Sequence, residues 1–109
     1  MALVYKVLGQ INPTANVLST VYTVPVSTSA VISTVSICNQ SATATSVSIA
    51  VRPQGASIQP QHYIMYNTPV AGNDTITLTM GITMGNTDVL SATAFSSTVS
   101  FSAFGSEIN

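Results

Sequence analysis

Charge is nearly missing from this chain. Of its 109 residues only Lys6 and Arg52 are cationic and only Asp74, Asp88 and Glu107 are acidic, so charged positions make up 5 %, against about 25 % in an ordinary soluble domain. With a net charge of −1 there is no cluster of Lys and Arg to neutralise phosphates, and neither nucleic acid nor an anionic membrane is expected as a partner. Cys38 is the one cysteine and cannot close an internal disulfide, so folding does not depend on an oxidising compartment. At the end of the apolar run "AVISTVSIC" it is expected to act as a small buried hydrophobe. His62 is the one histidine, and a Cys–His nucleophile would also need a third, orienting group that the sequence does not offer. No apolar run approaches the roughly 18 residues of a membrane helix. The opening "MALVYKVLGQINPTAN" lacks a sustained apolar segment after Lys6 and a small-residue cleavage site, so the expectation is no signal peptide and synthesis in the cytoplasm.

Hydroxyls and amides stand where the charges would be. Thirty positions are Ser or Thr, and with Asn and Gln these must form most of a polar, nearly neutral surface. Such a surface lacks the mutual repulsion that keeps copies apart, which suits a chain packed against others. Apolar residues alternate with hydroxyl residues in short stretches closed by Gly, Pro, Asn or Ser, the rhythm of β-strands. "SVSIAVR" sets Val47, Ile49 and Val51 against Ser46, Ser48 and Ala50. "STVSFSAF" sets Val99, Phe101 and Ala103 against Thr98, Ser100 and Ser102. "VLSTVYTV" and "AVISTVSIC" mix both faces, as strands do when two layers bury them or a bulge shifts the register. No helical spacing stands out. The pattern predicts an all-β protein, a single antiparallel β-sandwich over 1–109 with seven to eight short strands, immunoglobulin-like or jelly-roll-like in its connections. The end segments 1–12 and 104–109 are expected as inter-subunit arms, because termini are often free until a partner ties them down.

Candidates for chemistry are few. Within "AGNDTITLTMGITMGNTDVL", Asp74 and Asp88 each follow a Gly-Asn. If the stretch between them is one strand, they lie something like 30 to 40 Å apart, too far to share a proton or an ion. Turn-forming roles for Asn73, Asp74, Asn86 and Asp88 are therefore expected, with the face Ile76, Leu78, Met80, Ile82 buried between them. No calcium loop, zinc spacing or phosphate-cradling glycine loop is present, Glu107 has no visible partner, and no catalytic, cofactor or metal site is expected. "RPQGASIQPQHY", residues 52–63, reads as an exposed excursion between strands, because Pro53 and Pro60 are excluded from a central ladder. The aromatic cluster behind it, His62, Tyr63, Met65 and Tyr66, is the candidate interface or recognition surface, for a protein or a glycan. A regular strand there would place Tyr63 and Met65 on one face and His62, Ile64 and Tyr66 on the other.

The segments "GQINPTANVLSTVYTVP", "CNQS", "AVRP", "AGNDT", "GIT" and "TDV" appear in an order that resembles small virion structural proteins of tailed bacteriophages, especially those of cyanobacterial and marine hosts, over essentially the whole chain. The resemblance implies a many-copy, non-enzymatic particle component, located in the virion. Its expected partners are further copies of itself and other virion proteins such as a major capsid or tail protein. Head, neck, tail and fibre remain open, as does recognition of a host-surface glycan or protein. No site residues come with the resemblance.

Overall fold

The computed structural model describes residues 3–109. Its strands are β1 (Leu3–Ile11), β2 (Ser19–Thr23), β3 (Ser29–Asn39), β4 (Thr45–Arg52), β5 (Tyr63–Val70), β6 (Thr75–Leu78), β7 (Ile82–Met84), β8 (Val89–Ala94) and β9 (Val99–Ile108), with 3-10 turns at Pro53–Gly55 and Pro60–His62. All pairings are antiparallel. One sheet runs β1-β9-β3, with β6 and β7 end to end along the far side of β3; the other runs β2-β8-β4-β5. If β6 and β7 are counted as one interrupted strand, the eight strands lie in the orders 1-8-3-6 and 2-7-4-5. That is the arrangement of a jelly roll, the second of the two connection patterns the sequence allowed.

The period-2 pattern explains the core. Ala30, Ile32, Val35 and Ile37 of β3 and Val99, Phe101 and Ala103 of β9 point inward against Val47 and Ile49 of β4 and Leu90, Ala92 and Ala94 of β8, all at most 1 % exposed. Phe101 is the largest side chain fully enclosed, and burying such a residue contributes about 1.5–3 kcal/mol. The mixed faces of "AVISTVSIC" have the expected cause. The β3–β9 register shifts between Ile32 and Thr34, so Ser33 is an extra residue, and both Ile32 and Val35 can face inward.

The nine strands exceed the seven to eight expected because "TITLTMGIT" is broken. The chain leaves the ladder at Thr79–Gly81, with Gly81 at φ +60°, and Met80 turns outward at 51 % exposure. Ile76, Leu78 and Ile82 do pack against the core, but Met80, expected beside them, does not. Cys38 is half-buried, being on the outer face opposite Ser100 and Thr75. Of the end segments expected as inter-subunit arms, Leu3–Ile11 and Phe104–Ile108 are strands of the first sheet, and residues 1–2 lie outside the described residues. Phe104–Ile108 of β9 is paired on both sides, by β1 and β3, while β1 forms the sheet's edge.

Candidate functional site

The segment between β4 and β5 is exposed over most of its length but anchored at each end. Arg52 donates from Nη1 to the carbonyls of Gly55 (3.3 Å) and Ala56 (3.0 Å) and from Nε to the Ser91 hydroxyl (3.1 Å). The Gln54 N–H donates to Asp88 Oδ1 (2.9 Å), and the Gln59 N–H to His62 Nδ1 (3.1 Å). Ala50 and Ser91, paired with each other on the face of the sheet away from the core, are buried beside this segment's anchor, and the buried Ser48 on the same face is bonded to Asn67 of β5.

Tyr63 pairs with Ala50 on that outer side, whereas Met65 pairs with Ile49 and packs against the core. Register shifts on either side of Ile49 leave extra residues in β5. These bulges break the alternation that would have put Tyr63 and Met65 together. They bring Tyr63 to Tyr66 instead, with ring centroids 4.9 Å apart and planes at 74°, an edge-to-face contact of the kind aromatic pairs prefer. Ile58, Gln59, Pro60, Tyr63 and Tyr66 line an open depression of about 540 Å³. Of the four residues expected here, the structure joins Tyr63 and Tyr66, uses His62 to close the preceding turn, and directs Met65 inward. Tyr66 is 64 % exposed.

Asp74 and Asp88 stand at opposite ends of β3. The Asp74 carbonyl accepts the Asn39 N–H (2.9 Å), whereas Asp88 follows Met84, the partner of Ala30, and nine residues of strand separate these points by about 30 Å. Asp88 Oδ2 accepts the Gly85 N–H (2.8 Å) and Oδ1 the Gln54 N–H. Asp74 Oδ1 accepts the N–H of Thr75 (2.8 Å). Asn73 adopts a left-handed φ of 54°; in the second turn that position falls to Thr87, at φ 63°, and not to Asn86. Gly72 lies so close to the Ala42 carbonyl that an added Cβ would sit 2.1 Å from its oxygen. "AGNDT" is thus packed directly on the turn after "CN".

Two polar constellations were not foreseen. Asn39, 1 % exposed, donates from Nδ2 to the carbonyls of Thr43 (2.9 Å), Ala71 (3.3 Å) and Val70 (3.5 Å), and its Oδ1 accepts the Ser41 N–H (3.1 Å) and the Thr98 hydroxyl (3.0 Å). It ties three connections together at one end of the sandwich. At the other end the Tyr22 hydroxyl donates to Glu107 Oε2 (2.5 Å), and Lys6 Nζ lies 2.9 Å from Glu107 Oε1. The bond from Tyr22 and then that from Lys6 hold the Glu107 carboxyl below its usual range, while burial and the same carboxylate push the Tyr22 phenol up. Glu107 therefore has two partners, one in each sheet.

Among the described residues no three His, Cys, Asp or Glu side chains gather closely enough to hold a metal, and no helix is long and apolar enough to cross a membrane. Comparison of the chain with family models, with curated proteins and with solved structures found no match.

Proposed function

We propose that this chain is a non-enzymatic structural subunit of a tailed-phage particle. In this reading it is a many-copy accessory or decoration protein that self-associates and packs on a capsid, neck or tail protein. The jelly-roll strand order is the observation that carries the reading, because this architecture recurs in viral coat domains and presents broad, rigid faces for packing side by side. The surface supports it. Leu3, Val4, Tyr5, Val7, Val17, Val26, Phe95 and others are exposed large apolar residues on a chain with almost no charge to keep its copies apart. Mass spectrometry of purified particles tests it: the chain is expected at a stoichiometry of many copies per particle, and its absence would refute the proposal.

The depression lined by Tyr63 and Tyr66 favours one further reading, a recognition module for a host-surface glycan or protein, since jelly rolls are also lectin folds and rigid tyrosines suit such contacts. The double substitution Tyr63→Ala/Tyr66→Ala separates the two. The structural reading expects adsorption to host cells unchanged and particles less stable; lost adsorption with intact particles would support recognition instead.

A further inference from the structure

A two-sheet sandwich has four edges, and three of them here are blunted against pairing. β5 carries Pro69, a left-handed Asn67 (φ 47°) and two bulges. The edge formed by β6 and β7 is interrupted at Thr79–Gly81. β2 has five residues and its own register shift. These are the devices that keep exposed edges from pairing with other chains. β1 is different: from Leu3 to Val7 it is paired only with β9 and has no bulge, proline or glycine. Its far half leans on β2, where Gly9 meets the Val21 carbonyl. The one charge on the free half is Lys6, whose ammonium is paired with Glu107 while its side chain stays 47 % exposed.

We propose that the Leu3–Val7 edge of β1 pairs antiparallel with the same edge of a second copy, about a two-fold axis beside Tyr5, joining the two β1-containing sheets into one. This deepens the structural-subunit reading and rests on it for the many copies that would make so short an edge effective. The sequence of the strand selects the occupant and the register. Pairing about Tyr5 sets Tyr5 against Tyr5, Leu3 against Val7 and Val4 against Lys6, so like faces meet and no charge opposes its twin. A shift of the centre to Lys6 would place two ammonium groups opposite each other, which cross-strand pairing disfavours. Leu3, Val4, Tyr5 and Val7, 50, 47, 77 and 50 % exposed, would each gain a cross-strand neighbour. Five residues from each copy cover less than the roughly 1,200 Å² at which stable interfaces begin, so the isolated chain associates weakly and repetition on a particle multiplies the effect.

Sedimentation velocity on the full chain from micromolar to millimolar concentration tests this. The mean mass is expected to rise from 11.3 kDa toward twice that value. Tyr5→Lys, which places two charges face to face at the axis, is expected to weaken association at least about ten-fold, whereas Met80→Lys, on the opposite edge of the same sheet, leaves it unchanged. In a Cys38→Ala background, Tyr5→Cys is expected to oxidise to a covalent dimer and Val7→Cys to remain monomeric. A chain that is monomeric throughout overturns the proposal, as does a dimer indifferent to Tyr5→Lys or abolished by Met80→Lys. The two readings fail separately: a monomeric chain found in purified particles sinks only this interface, and a Tyr5-dependent dimer absent from particles sinks only the particle assignment.

Discussion

Replacing Asn39 is expected to destabilise this fold more than almost any other polar change. The side chain is 1 % exposed and makes hydrogen bonds to Ser41, Thr43, Ala71 and Thr98 at 2.9 to 3.3 Å. Asn39→Ala removes the donor and acceptor together. Thr43 and Ala71 are exposed, so water can satisfy their carbonyls, and the Thr98 hydroxyl keeps Ser96 Oγ at 2.8 Å, which leaves the Ser41 N–H and the buried Val70 carbonyl as the main groups stranded. At about 1–3 kcal/mol for each buried group left without a partner, the loss is about 3 kcal/mol, or a Tm drop of roughly 12 to 15 °C in a domain of this size. Asn39→Asp has nearly the same shape but turns an oxygen toward the carbonyls of Thr43, Val70 and Ala71. Burial and those carbonyls raise the pKa of the new carboxyl in the folded state above its unfolded value of about 3.9. Its stability is then greatest below that value and falls as pH rises through the raised one. Urea unfolding followed by circular dichroism between pH 3 and pH 8 reads both effects. An Ala variant within about 1 kcal/mol of the parent, or an Asp variant whose stability does not fall with rising pH, would refute the reasoning.

Other perturbations have smaller expected effects. Glu107 has a lowered pKa, so its contribution to stability is present above the unfolded value of about 4.3 and is lost as pH falls through the lower, folded value. Tyr22 has a raised pKa, so its contribution is present below about 10 and is lost as pH rises beyond it. Glu107→Gln is therefore expected to flatten part of the acid limb of the urea-midpoint profile, and an unchanged limb would show that the contact with Tyr22 and Lys6 is not maintained in solution. Thr87 is β-branched yet left-handed (φ 63°), so Thr87→Asn, which tolerates that region better, is expected to stabilise by about 1 kcal/mol, read as a rise in Tm. Gly72→Ala drives a methyl into the Ala42 carbonyl; a loss of about 2 kcal/mol is expected in urea unfolding, and a neutral result would mean that the two turns are not packed together.

The sequence exposed the strands whose neighbours alternate and concealed whatever depended on a bulge or a distant partner. β9 could be read from Val99, Phe101 and Ala103 because the register shifts of its two ladders fall after Ala103. Tyr63 and Tyr66 are three residues apart, and strict alternation assigns them opposite faces; only the extra residues of β5 bring their rings together. The break at Thr79–Gly81 was hidden because Ile76, Leu78, Ile82 and Met84 keep the same parity on both sides of it, so Met80 looked like one more core position. Gly81 was the one local sign. Tyr22, Lys6 and Glu107 meet across separations of 85 and 101 residues, and no local pattern announces such a contact. In a chain with five charged residues, however, the presence of one Glu and one Lys was itself a reason to look for a pair. β1 lacks the alternation of apolar and hydroxyl residues, so its pairing with β9 is not legible in its sequence.

The most direct test of the central claim is cryo-electron imaging of purified tailed-phage particles carrying a tagged copy of this chain. The structural account predicts label density at many symmetry-related positions on the head, neck or tail, with jelly-roll density beneath it. Particles that assemble normally and carry no label would contradict the account.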